Sequence, residues 1–236
     1  MLFMPVYDDY SSWKNWDPNR FGCFTSKESK RFHLELKSLK LKPTDHILEI
    51  GFGHGHFMGW AKSRNYKIDG IEKNSHLVEI AIQKGFSATS TSGEGYGHEK
   101  YNLIAAWDVL EHMSHDEIEA ALSNVRDALV VGGYFIAKFP NGDSPLGLMH
   151  QNGDITHRTS IGYHKWTFFA QQAKMKIVAI RGTRKVIFYP NPFVTLIKST
   201  HWILKKIAQW IYRQLFLPHY KNDYFSADTV VILRKN

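Results

Sequence analysis

Three glycines in five residues, Gly51, Gly53 and Gly55, lie between two acids in a chain of 236 residues. Glu49 stands two residues before the first glycine, in EIGFGHG, and Glu72 stands 21 residues after it, in GIEKN. Glycines at this spacing let the backbone turn sharply and let a ligand approach where a Cβ would block it. A dinucleotide fingerprint requires glycine at position 56, which is His56 here. Glu49 would also repel a pyrophosphate, whereas a ligand with a cationic amine suits it. Glu72 occupies the position from which an acid grips a ribose diol.

A second group of residues could move a proton. Among thirteen histidines, His112 in WDVLEHM and His157 in GDITHRTS stand out. An imidazole titrates near neutrality, so either ring could act as general base toward a hydroxyl. Asp154, three residues before His157, could hold an imidazole in one tautomer. Both histidines also have structural readings, His112 as a loop cap and His157 as a loop-stabilising partner of Asp154. His150, Asp154, His157 and His164 form no recognised zinc pattern and lack a second carboxylate for Mg²⁺, so no metal is expected.

The elements that would position these residues alternate. Residues 26–40 read as an amphipathic helix, with Phe32, Leu36 and Leu39 on one side. Strands are expected at 46–50 (HILEI), 67–71, 87–92, 102–107 and 134–139, with helices at 57–64, 75–84 and 116–129. The last of these helices should end at Gly132-Gly133. A polar loop, 140–160, should precede a helix at 165–173, and two closing strands are expected at 177–181 and 229–234. Strand–helix alternation predicts an α/β fold, a mostly parallel sheet covered on both faces.

Composition narrows the class. Hydrophobic residues at 43% and charged residues at 22% describe a globular chain. One cysteine, Cys23, permits neither an internal disulfide nor a Cys-rich zinc site, which fits a reducing compartment. The N-terminus lacks a basic n-region, and no 18-residue apolar run free of charge occurs, so neither a secretory signal nor a spanning helix is expected. The net charge is +8, yet residues 155–222 carry twelve Lys and Arg and no acid. That segment suits phosphates, acidic lipids or an acidic polymer.

HILEIGFGHGHF, GIEKN and YNLIAAWDVLEHM together resemble the successive motifs of class I S-adenosylmethionine-dependent methyltransferases, over roughly residues 40–182. The resemblance implies a Rossmann-like seven-stranded sheet, mostly parallel with an antiparallel last strand, and S-adenosylmethionine as cofactor. It places Glu49, Gly51, Gly53 and Gly55 beneath the methionine moiety and Glu72 on the ribose hydroxyls. Glu94, in TSGEG, would contact the adenine side, and Trp107 and Asp108 would border the methionine and the methyl group. More loosely, PNGDSPLGLMHQNGDITHRTS resembles a segment of bacterial surface-polysaccharide methyltransferases, which raises sugar hydroxyls as acceptors. The readings that follow are an O-methyltransferase acting on a cell-surface or lipid-linked glycan, a methyltransferase of quinone-like or other small molecules, and an RNA-binding or RNA-modifying protein. Nucleic acid is disfavoured because the aromatics of the basic segment follow helical spacing.

The domain plan has three parts. Residues 1–25 form an aromatic arm or lid, with Tyr7, Tyr10, Trp13 and Trp16. Residues 26–236 form the methyltransferase domain, and within it residues 185–222 form a basic amphipathic insertion. On a helical wheel Lys198, Trp202, Lys205, Lys206, Gln209 and Arg213 share one sector, and Ile197, Leu204, Ile211 and Leu215 the far side. An interfacial helix has this pattern, so the chain is expected in the cytoplasm, peripheral on an anionic inner membrane.

Overall fold

The computed structural model describes residues 14, 16–90, 95–185, 191–217 and 225–236. Seven strands form one sheet: β1 (His46–Ile50), β2 (Lys67–Glu72), β3 (Ser87–Ser90), β4 (Tyr101–Trp107), β5 (Leu129–Pro140), β6 (Lys176–Gly182) and β7 (Asp228–Arg234). Their order is β3-β2-β1-β4-β5-β7-β6. The first five are parallel, and β7 runs antiparallel to both neighbours. The fold is therefore the Rossmann-like α/β arrangement that the alternation predicts.

The helices are α1 (Ser26–Leu36), α2 (His56–Lys62), α3 (Ser75–Gln83), α4 (His115–Ala128), α5 (Gly147–Asn152), α6 (Tyr163–Gln172) and α7 (Pro192–Phe216). Local chemistry starts several of them. Thr25 with Glu28 and Ser114 with Glu117 form reciprocal capping boxes at α1 and α4. The Asn74 side chain accepts from the His76 and Leu77 amides at α3.

β1 is buried along its whole length, as a central parallel strand must be. One face of the sheet packs Phe32, Phe57, Trp60 and Leu77, and the other packs Ile118, Leu122, Phe135 and Trp166. Strand order reverses between β1 and β4, and a crevice opens there beyond the carboxyl ends of the strands.

Two boundaries differ from the expected ones. α4 stops at Ala128, and β5 already begins at Leu129, because Val130 and Val131 favour extended backbone. Gly132-Gly133 thus lies inside the strand. The segment read as polar loop contains α5, which starts where Gly147 lies against Asn141; a Cβ there would come within 2.1 Å of the Asn141 carbonyl oxygen. Among the described residues no helix is long and apolar enough to cross a membrane.

Candidate active site

The crevice at the β1–β4 switch holds a cavity of about 730 Å³. Glu49, Gly51, Gly53, Glu72, Trp107, Asp108 and His112 all line it. Gly55 caps α2 beneath the loop, where a Cβ would lie 2.5 Å from the Phe21 ring. Glu94 lies outside the described residues. Tyr96 and three α4 residues, Ala120, Ala121 and Asn124, form another part of the wall.

The loop after β1 needs its glycines. Gly51 and Gly53 have φ of +64° and +52°, the left-handed region that side chains disfavour. A Cβ at Gly51 would lie 2.6 Å from Val109 Cγ2, and one at Gly53 would lie 2.8 Å from the Trp16 indole. The Gly53 amide donates to Glu72 Oε2 (3.0 Å), and the Lys73 and Asn74 amides donate to Oε1 (2.7 and 3.1 Å). Three backbone donors thereby fix the carboxylate at the tip of β2, with one lone pair, on Oε2, left for a ligand.

Glu49 is buried at the end of β1, and its Oε2 has no hydrogen-bond partner among the described residues. Burial pushes its carboxyl well above the usual range; the Glu72 charge adds to this and a bond from the Met58 amide opposes it. An orphaned carboxylate facing a cavity is a site prepared for a cation.

The histidine cluster is built from the one-turn 3-10 helix Leu110–His112 after β4 and from the loop after α5. Asp108 holds a φ of +58° and is ion-paired with Lys138 of β5. The Arg158 and Thr159 amides donate to the Glu111 carbonyl (2.7 and 3.0 Å), so the acceptor loop is fastened to the 3-10 turn.

The two histidines that the sequence separates by 45 positions come together. Their ring centroids are 4.6 Å apart, edge to face. The Thr156 hydroxyl donates to Asp154 Oδ1 (2.6 Å) and lies 2.8 Å from His112 Nδ1. With its hydrogen directed to Asp154, that hydroxyl accepts from Nδ1–H of His112. His157 Nδ1 is 3.0 Å from the Gln151 carbonyl oxygen, an acceptor only, so it too carries the hydrogen. Asp154 orients His112 through Thr156, not His157 directly. Burial works against ionisation of Asp154, yet hydrogen bonds from Thr156 and Lys14 hold its carboxyl below the usual range. Burial lowers the His112 pKa, and His157 lowers it further.

Other histidines of the loop serve elsewhere; His150 pairs with Asp228 (2.8 Å). Of the aromatic arm, Tyr7, Tyr10 and Trp13 lie outside the described residues, while Trp16 lines the cavity and stacks on His54. Lys14 also lines the cavity and pairs with Asp154 (3.0 Å).

Sequence reasoning missed Arg31 and Glu111. Arg31 reaches the cavity from α1; its signal was a basic residue next to Phe32 on the apolar side of the helix. Glu111 is 1% exposed, with burial and the Asp108 charge raising its carboxyl well above the usual range. Its signal was an acid beside His112.

Residues 24–182 match a family described as "Methyltransferase domain". No curated protein matches the chain. Solved structures share the fold. An S-adenosylmethionine-dependent methyltransferase from Archaeoglobus fulgidus superposes with a TM-score of 0.65 at 15% identity, covering 98% of this chain and 100% of that one. One from Mesorhizobium loti gives 0.57 at 12% identity, over 85% and 95% of the two chains. A geranyl diphosphate methyltransferase bound to its substrate and sinefungin gives 0.59 at 12% identity, over 89% and 79%.

Proposed function

The chain belongs to the S-adenosylmethionine-dependent methyltransferases, and from that premise we propose that it methylates a sugar hydroxyl of a lipid-linked or cell-surface glycan. The cavity fits the cofactor. Glu49 offers an orphaned buried carboxylate to the amino group, Glu72 offers an anchored oxygen to the ribose hydroxyls, and the Gly51–Gly53 backbone leaves room for the chain between them. The cofactor supplies an activated methyl group; the protein must orient an acceptor and help remove its proton.

The observation that carries the hydroxyl reading is the imidazole pair. Both rings are held as the tautomer with the lone pair on Nε2; His112 lines the cavity beside Trp107 and Asp108, and His157 packs behind it, edge to face. A hydroxyl needs such help. The glycan reading draws further support from the PNGDSPLGLMHQNGDITHRTS segment, which folds against His112 through Asp154 and Thr156.

α7 supports a membrane-borne acceptor. Leu196, Ile203 and Trp210 form a stripe at heptad spacing and are 63%, 50% and 63% exposed, while Gln209 alone is buried. Lys206 is exposed at the edge of the stripe and Lys198 on the opposite side of the helix, whereas Lys205 and Arg213 of the basic sector are half-buried. An exposed apolar stripe edged by a lysine suits an anionic lipid surface.

The test supplies methyl-labelled cofactor to the purified chain with glycan, small-lipid and RNA fractions of a cell envelope, and with lipid-linked glycan in anionic or neutral vesicles. Label is expected in the lipid-linked glycan and to accumulate faster on anionic vesicles. Leu196, Ile203 and Trp210 changed together to serine should remove that preference without lowering cofactor affinity. Label confined to quinone-type lipids or to RNA would overturn the glycan assignment.

Glu49 yields a pH-linked prediction. Its raised pKa in the free protein should fall when the cationic amine arrives, so binding should release a proton. Affinity should rise with pH through the shifted range and then level off. Calorimetry in buffers of different ionisation enthalpy reads that proton, and identical heats would contradict it. In the free protein the stabilising contribution of Glu49 is present at low pH and lost as pH rises through its folded-state pKa. Glu49→Gln should therefore raise the thermal midpoint above that pKa while weakening the cofactor at least tenfold.

A further inference from the structure

Glu111, His112 and His157 each bring one donor atom to a common point, all within 4.8 Å of one another. They come from two separate segments, the 3-10 turn after β4 and the loop after α5. We propose that these three residues form a binding site for one divalent transition-metal ion beside the cavity, which His112 alone of the three lines.

Three observations support it. Glu111 is 1% exposed, and its Oε2 has no hydrogen-bond partner among the described residues. A carboxylate buried this way is costly unless a cation compensates it. Both imidazoles place hydrogen on Nδ1, by way of Thr156 and the Gln151 carbonyl, so each keeps its lone pair on Nε2, the nitrogen a ligand would then use. Ligating histidines characteristically donate their other nitrogen to a carbonyl or carboxylate, and Asp154–Thr156–His112 is such an outer arrangement. With bonds of about 2.0–2.2 Å the ion would draw the donors closer together than the 4.8 Å within which they now lie.

The donor set decides the kind of ion. Two imidazoles and one carboxylate suit Mn²⁺, Fe²⁺, Co²⁺ or Zn²⁺ and leave coordination positions open, whereas Mg²⁺ and Ca²⁺ favour oxygen. The proposal departs from the sequence expectation of no metal. The earlier cluster fails because His150 turns to Asp228, while Glu111, close in sequence to His112, was not considered.

The role of the ion rests on the hydroxyl-acceptor reading. Open positions accommodate the acceptor oxygen and a neighbouring hydroxyl, as a sugar diol provides. Cation binding acidifies the hydroxyl, whose proton leaves to water. The acceptor oxygen then bonds to the methyl carbon as the carbon–sulfur bond breaks and its electron pair stays on sulfur. The sulfonium charge is thereby neutralised.

The test titrates the chelator-stripped full chain with Co²⁺ alone, followed by visible absorption. One ion per chain with a ligand-field band is expected. Glu111→Gln and His157→Ala should each weaken it at least tenfold, and Thr156→Val should weaken it less, with Thr156→Ser restoring it. S-adenosylhomocysteine binding by each variant verifies folding. Absence of a bound ion, or Co²⁺ affinity unchanged in folded variants, overturns the site. Methyl transfer to glycan that persists in stripped enzyme removes the ion's role and leaves the acceptor assignment standing. Co²⁺ bound as expected, with no glycan accepting methyl, sinks that assignment and leaves the site.

Discussion

Alanine at His112 or at His157 is expected to lower turnover by roughly 10²–10⁴-fold, the usual worth of assistance to proton removal. S-adenosylmethionine affinity should stay near wild type, because neither ring contacts the glycine loop or Glu72. The two effects should not add. The rings sit 4.6 Å apart, edge to face, and rest on one network through Thr156 and Gln151. Groups that act as a unit lose most of their effect with the first removal. The double variant should therefore be no slower than the worse single one. Initial rates with labelled cofactor and envelope acceptor, beside calorimetry with S-adenosylhomocysteine, decide the matter. Unchanged turnover in both single variants would refute the assignment, and lost cofactor binding would make the rings structural.

Glu72→Ala should weaken cofactor binding by at least tenfold. A charge-assisted hydrogen bond to the ribose is worth about 1.5–3 kcal/mol. The loss should exceed that of a simple contact, because the same carboxylate gathers the amides of Gly53, Lys73 and Asn74. Without it the glycine loop and the β2 tip lose their common anchor. Glu72→Gln, which keeps the shape and one acceptor oxygen, should fall between. Donor affinity that survives Glu72→Ala would remove this residue from the site.

The cofactor half of the cavity is legible in the sequence because its signals are local. HILEI runs directly into the glycines, and Glu72 ends the next strand, so a few dozen residues state both geometry and chemistry. The alternation of elements likewise exposes the sheet. The acceptor half depends on contacts across the chain. Thr156 meets His112 over 44 positions and Lys14 meets Asp154 over 140, and no periodicity records such pairings. Asp154 was read as a partner of His157 through proximity in sequence, whereas the loop turns its carboxylate toward Thr156. Glu111 carried no reading in the sequence; only its burial, with an unpartnered Oε2 among the described residues, marks it out. The start of β5 was misplaced because two glycines resemble a helix stop, while the β-branched pair before them had already changed the backbone.

The segment holding Lys14 and Trp16 touches both halves of the cavity. Trp16 lies over Gly53, and Lys14 reaches Asp154, two residues from the hydroxyl that orients His112. A ligand in the glycine loop that displaced the indole would act on the segment that also holds the Asp154 contact. Ligands in the two halves would then be linked, and linkage is reciprocal: whatever the first does to the affinity of the second, the second does to the first.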